Sequence, residues 1–417
     1  MNASPMKQPK KRLARRIFKG LAVAAILGIL ALGGLVGALW LEHRSETTLP
    51  TPSGPFAVGR AIYDWTDDAK LDTLAPVPGT KRELLVWIWY PSAPGRSVAM
   101  DDYVPGQMRA AAGPPGGLLG LLTRDVSKVH GHSIRNADVA PQQRSYPVVI
   151  VRAGASSEVW NYSTLAEDLA SHGYVVVGFD APYRTFAVVF PDGRVIRRAP
   201  ENDPELCEDQ ALAQQAGCVI KVLSAWTADI AFVLDRLEGL NTSDSSGKFT
   251  GRLDMTRVGV FGHSLGGATA AQFCHDDSRC KAGIDVDGQP FGSVIQEGLH
   301  QPFMFLMSGQ GDFSSDAEIR QIVANIQSIY DRLPLEGRLR ISIRGANHFL
   351  FSDDGALLKS HIVMGTLRMP GKVGIDGRRQ LAVTAYCVRS FFDAYLKGTS
   401  GSRLKISSPL YPEIQVF

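Results

Sequence analysis

Residues Val258–Gly267 read VGVFGHSLGG. A β-prone run feeds Gly262-His263-Ser264-Leu265-Gly266, and the Ala-rich stretch Leu265–Cys274 follows at once. This is a G-x-S-x-G pattern in a strand–turn–helix setting, and the setting carries more weight than the five letters. A serine on so tight a turn has unusual dihedrals and leaves no room for side chains at the flanking glycines. The turn lifts the hydroxyl off the sheet and points the helix N-terminus at it. Backbone N–H groups and the helix dipole are then available to a developing oxyanion. Ser264 is the candidate nucleophile.

Outward from this elbow the chain alternates between two periodicities. Strands are expected at Leu84–Tyr90, Pro147–Val151, Tyr174–Phe179, Arg257–Phe261, Ala282–Val286, Phe303–Met307 and Leu339–Arg344. Helices are expected at Ser163–Ser171, Ala213–Leu237, Leu265–Cys274, Asp316–Tyr330 and Leu381–Lys397. Such alternation predicts an α/β fold, a mainly parallel sheet covered by helices on both faces. The catalytic domain is assigned to residues 81–400, with an insertion at about 93–145 and a C-terminal tail at 401–417. The insertion contains the apolar stretch GPPGGLLGLL, Gly113–Leu122, which suits either a lid or a packed excursion.

A serine nucleophile needs a histidine base on a loop after a late strand. Of the nine histidines, His348 in RGANHFLF has that place, and His361 is a weaker second. His263 lies inside the elbow and is expected to point elsewhere. The acid that orients the base also belongs at a strand end. Two residues qualify: Asp287 in GIDVDGQPFG and Asp312 in SGQGD. General topology leans to the later strand and Asp312, whereas Asp285 reads as structural.

The N-terminus differs from the rest. Lys7, Lys10, Lys11, Arg12, Arg15, Arg16 and Lys19 form a basic cytoplasmic flank, residues 1–19. The uncharged run Gly20–Leu41 would span about 33 Å as a helix, matching the hydrocarbon thickness. A transmembrane anchor with the remainder outside the cytoplasm is expected, with a cleaved signal peptide as the rival. Residues 42–80, rich in Thr, Pro and Gly, read as a linker leading into the domain. The formal charge of +3 misleads. Seven of the 44 basic residues and none of the 41 acidic ones fall in the first 41 positions, so the remainder carries −4. That excludes a basic footprint for nucleic acid. Five cysteines follow the anchor. Local spacing and an exported domain predict disulfides Cys207–Cys218 and Cys274–Cys280, with Cys387 a buried free thiol. Neither pair has the spacing or histidines of a zinc site.

The segments DLASHGYVVVGFD (168–180), GHSLGGATAAQ (262–272) and AGIDVDGQPFG (282–292) resemble the plasma-type platelet-activating-factor acetylhydrolases and their bacterial relatives. The likeness runs from the WIWYP strand near Trp89 to FFDAYLKG ending at Gly398. GHSxGG alone is shared with lipases and cutinase-like polyester hydrolases; GIxxDG shortly downstream makes it more specific. The resemblance implies an α/β-hydrolase fold and a serine hydrolase of short-acyl or phospholipid-type esters. It implies Ser264 as nucleophile, His348 as base, and Asp287, 23 residues beyond Ser264, as acid in preference to Asp312. It also implies an oxyanion hole from the amides of Leu265 and Ala155. Ala153-Gly154 stands where the family has His-Gly, which leaves Ser156 as an alternative donor. No metal or organic cofactor is implied, and the partner is a small-molecule or lipid ester. A general carboxylesterase, lipase or polyester hydrolase would use the same machinery. So would a peptidase of the same fold, and a cell-envelope scaffold is the non-catalytic alternative.

Overall fold

The computed structural model describes residues 9–93, 100–109, 120–121, 123–155, 157–204, 207, 212–308, 317–357, 374–399 and 406–417. Eight strands form the body of a twelve-stranded sheet. They are β1 (Ala57–Leu71), β2 (Lys81–Ser92), β3 (Tyr146–Arg152), β4 (Val175–Asp180), β5 (Leu253–His263), β6 (Cys280–Val286), β7 (Phe303–Ser308) and β8 (Arg338–Ile343). Their spatial order is β1-β2-β4-β3-β5-β6-β7-β8. β1–β2 and β2–β4 pair antiparallel, and every later pair is parallel. The crossovers are helical: α2 (Ser163–Ser171), α3 (Leu212–Thr242), α4 (Leu265–Asp276), α5 (Ala317–Arg332) and α6 (Gly377–Leu396), behind the N-terminal α1 (Pro9–His43).

The central strands read as apolar runs because both faces are covered. Successive residues enter opposite cores. Trp87, Trp89, Val149 and Val151 pack with Leu165 and Leu169 of α2 and Phe391 and Phe392 of α6. Val86, Ile88, Val148 and Ile150 pack with Ile230 and Leu234 of α3 and Ile326 and Ile329 of α5. This two-sided packing holds the C-terminal ends of β3, β5, β6, β7 and β8 along one rim.

Three segments carry strands that the sequence reading did not place. Residues 42–80, read as linker and domain entry, contain β1, and Val58, Ala61 and Trp65 are buried. The insertion at 93–145 adds an edge strand, Val129–Arg135, parallel to β1, and buries Tyr103 and Val104. The tail returns as Ile414–Val416, antiparallel to β8. In α1, Arg15–His43 is long and apolar enough to cross a membrane, with a mean hydropathy of 2.4 and no part buried. Its end is fastened to the domain. Arg124 Nη1 donates to the Glu42 carbonyl at 2.7 Å, and the Asp125 amide to the His43 carbonyl at 3.0 Å. Thr47–Thr48 then pairs with Val129–His130. Disulfides join Cys207 to Cys218 and Cys274 to Cys280, and Cys387 is free and buried.

Candidate active site

Ser264 sits between β5 and α4 with φ 56° and ψ −127°, a conformation few L-residues adopt. The glycines beside it are there for space. A methyl at Gly262 would lie 2.1 Å from the Gly266 carbonyl oxygen, and one at Gly266 would lie 2.4 Å from that of Arg152. The turn is pinned by the Ser264 amide donating to the Val286 carbonyl at 2.9 Å. The Gly267 amide closes the first turn on the Ser264 carbonyl at 2.8 Å. The Leu265 amide stands at the N-terminus of α4, where intrahelical partners are lacking.

Asp287 follows β6 and also has positive φ, 54°. Its amide donates to the Leu306 carbonyl at 2.8 Å. Its Oδ1 accepts from the Ser308 amide at 2.7 Å and the Ser308 hydroxyl at 2.9 Å, and its Oδ2 meets His348 Nδ1 at 2.9 Å. The carboxyl is 5% exposed and the imidazole 37%, so Asp287 is shielded while His348 reaches solvent. Burial pushes the Asp287 pKa upward, but the bonds from His348 and Ser308 outweigh it and hold the group below its ordinary range. The opposite holds for Asp285 two residues earlier. It is buried beneath the elbow, where its Oδ1 accepts from the Gly288 amide at 2.8 Å. Burial raises its pKa to about 8, which keeps it a neutral acid at pH 7.

His348 opens a short 3-10 turn, His348–Phe351, just after β8. Gln380 of α6 grips the preceding residue twice, accepting from the Asn347 amide at 2.9 Å and donating to its carbonyl at 2.8 Å. Asp353 anchors the far side of the loop. It accepts from the Thr164 amide at 3.0 Å and the Tyr103 hydroxyl at 2.9 Å. The His348 loop is therefore held by α2, α6 and the insertion together.

His263 does not point away from this centre. Its ring lies 4.6 Å from that of His348, centroid to centroid. Its Nδ1 meets the Tyr162 hydroxyl at 2.8 Å, and that hydroxyl accepts from the Gly154 amide at 3.1 Å. Burial, then the nearby His348, lowers its pKa to about 3, so it stays neutral beside His348. The β3–α2 loop closes over the elbow: a methyl at Gly154 would lie 3.4 Å from Ser264 Cβ. Ala155 follows, its carbonyl accepting from Arg198 Nη1 at 3.1 Å.

The structure thus joins Asp287 to His348 and sets Leu265 and Gly154 beside Ser264, with Ala155 packed against the cluster that holds Leu265. The alternative acid Asp312, the alternative donor Ser156 and the second histidine His361 lie outside the described residues. Sequence reasoning missed Ser308, Tyr162, Asp353 and Gln380. Ser308 had a signal in its place at the end of a strand, and Asp353 in its nearness to His348. Tyr162 and Gln380 had none, because their partners are distant in sequence. Among the described residues no group of three or more His, Cys, Asp or Glu is arranged to hold a metal ion. A strained serine, a carboxylate-bound imidazole and free helix-end amides are together equipped for acyl transfer.

The family model described as platelet-activating factor acetylhydrolase, isoform II matches residues 41–187 and 194–399. A probable 1-alkyl-2-acetylglycerophosphocholine esterase of Arthroderma benhamiae is 25% identical over 407 residues, covering 89% of this chain and 94% of that protein. A platelet-activating factor acetylhydrolase of Cavia porcellus is 24% identical over 350 residues, covering 80% and 75%. Among solved structures, a ferulic acid esterase from Streptomyces cinnamoneus superposes with a TM-score of 0.69 at 28% identity, covering 89% of this chain and 99% of that one.

Proposed function

Because the chain belongs to the platelet-activating factor acetylhydrolase, isoform II family and is a carboxylic ester hydrolase, we propose that it cleaves short-acyl, phospholipid-type esters through an acyl-enzyme on Ser264. The observation that carries this reading is the 2.9 Å contact of Asp287 with His348 at the rim where Ser264 is held at positive φ. His348 takes the proton from the Ser264 hydroxyl as the oxygen attacks the ester carbonyl. Asp287 keeps Nδ1 protonated and steadies the imidazolium. The amides of Leu265 and Ala155 stabilise the tetrahedral oxyanion. Collapse of the intermediate expels the alcohol, to which His348 returns the proton. Water, activated by the same histidine, then releases the acid and frees Ser264.

The acetyl-ester substrates named for the two relatives support a short acyl group. The apolar α1 and the two disulfides support an anchored domain outside the cytoplasm, where thiols oxidise and persist as disulfides. A second reading, hydrolysis of aromatic carboxylate esters, draws on the similarity to the ferulic acid esterase.

A substrate panel separates the two. The expected order of kcat/KM is highest for a phosphatidylcholine with an acetyl group at its second position, falling at least about tenfold as that acyl chain lengthens to palmitoyl. A feruloyl ester preferred over the acetyl lipid by the same margin would transfer the assignment to the second reading.

A further inference from the structure

We propose that Arg198 is a positioning residue that sets the backbone of the oxyanion loop, and that the Cys207–Cys218 disulfide braces it. Gly154, in the loop that follows β3, lies against Ser264, and the described residues around it are tied down at several points. The Gly154 amide reaches Tyr162, the Ser157 amide closes a turn on the Gly154 carbonyl at 3.3 Å, and Ala155 is held through its carbonyl by Arg198 Nη1. Fixing that carbonyl restrains the backbone of Ala155, the residue whose amide is the proposed second oxyanion donor. Such donors act without reorganising only when they are already aimed.

Arg198 is itself fixed from two directions. Its backbone closes the ribbon of Ala187–Val189 and Val195–Arg197, with its amide donating to the Phe186 carbonyl at 3.2 Å. Its Nη2 pairs with Asp203 Oδ2 at 2.8 Å, the two side chains being only 13% and 21% exposed. Asp203 is held by the turn over Pro200–Asn202, its amide donating to the Pro200 carbonyl at 3.1 Å, and its carbonyl lies 3.9 Å from Cys207 Sγ. The disulfide then carries the segment to Cys218 on α3. There Cys207, Val219, Val222 and Trp226 form one apolar cluster with Leu265, and Ala155 packs against it. Both candidate oxyanion residues therefore rest on the same disulfide-bonded cluster, and Arg198 is the polar link to one of them. A guanidinium suits this place, since its planar fork serves a carbonyl and a carboxylate at once.

The inference rests on the site proposed above, so Ser264→Ala is measured beside Arg198→Met and Arg198→Lys in the full-length protein. The readouts are kcat and KM on an acetate aryl ester, inhibition by a trifluoromethyl ketone that adds reversibly to the nucleophile, and the melting curve. Arg198→Met is expected to lose about tenfold to a hundredfold in kcat, less than the removal of a direct oxyanion donor. KM should change less than about threefold, and ketone affinity should fall in step with kcat. Arg198→Lys, which keeps one charged donor, should recover part of both. A kcat within about twofold of the parent in Arg198→Met would overturn the proposal. So would a raised KM with unchanged kcat, which would mark Arg198 as a substrate-binding group, or a loss of kcat without any loss of ketone affinity. If Met at this position prevents folding, the Lys variant decides: full activity with unchanged ketone affinity contradicts the role. Activity surviving in Ser264→Ala would sink the site itself, and this inference with it.

Discussion

Asp285 and Asp287 lie two residues apart and their pKa values are driven in opposite directions, which fits the different roles proposed for them. Asp287 keeps its charge because His348 and Ser308 hydrogen-bond it. Asp285 loses its charge because it is buried, with the Gly288 amide and the nearby Asp287 carboxylate as lesser influences. Asp287→Asn should leave the fold intact and cut kcat by about three to four orders of magnitude, the scale known for such a change in serine proteases. Asp285→Asn replaces a neutral acid with a neutral amide of the same shape, so activity at pH 7 should stay within about threefold of the parent. Its signature is in stability. A carboxyl whose folded pKa is raised from 3.8 to about 8 contributes fully below the unfolded value, and that contribution is lost as pH rises toward 8. Melting curves from pH 4 to 9 should therefore decline less steeply for Asp285→Asn than for the parent. If Asp287→Asn stays near the parent in turnover, the acid lies elsewhere, and the later-strand candidate Asp312 regains its claim.

Among the elements, α1 is the one whose role composition alone suggests most strongly. Its apolar length and basic flank suit a membrane span, and the contacts of Arg124, Thr123 and Asp125 with Glu42 and His43 tie its end to the domain. Full-length protein is expected to sediment with membranes and resist alkaline extraction. Protease added from the non-cytoplasmic side should reach the domain, and protease from the cytoplasmic side should remove only the basic flank. Full-length chain recovered soluble from the cytoplasm would contradict the anchor. The reading of 42–80 as linker and domain entry did not place β1 within it, for a physical reason. β1 carries Arg60, Asp64, Asp67 and Asp68, and so many charges read as solvated chain. Yet Arg60 is buried against Asp101 at 2.7 Å, and Asp67 faces Arg82 at 3.8 Å. Those partners lie well along the chain, where no local pattern announces them.

At the scale of the whole molecule, the parallel half of the sheet was legible because apolar runs alternating with helices have few other solutions. The elbow was legible from its glycines, and His348 and Asp287 from their places after strands together with the family likeness. What holds them was not. Tyr103 and Asp353 are 250 residues apart and Arg198 and Ala155 are 43 apart, and such contacts arise only once the sheet has brought its rim together. The central claim is that this rim presents one activated serine. It is tested most directly by treating folded full-length protein with a fluorophosphonate and mapping the modified peptide by mass spectrometry. The label should fall on Ser264 alone, in step with loss of esterase activity, and Ser264→Ala should take up no label and hydrolyse no ester. A label on another residue, or hydrolysis retained by a folded Ser264→Ala variant, would contradict the account.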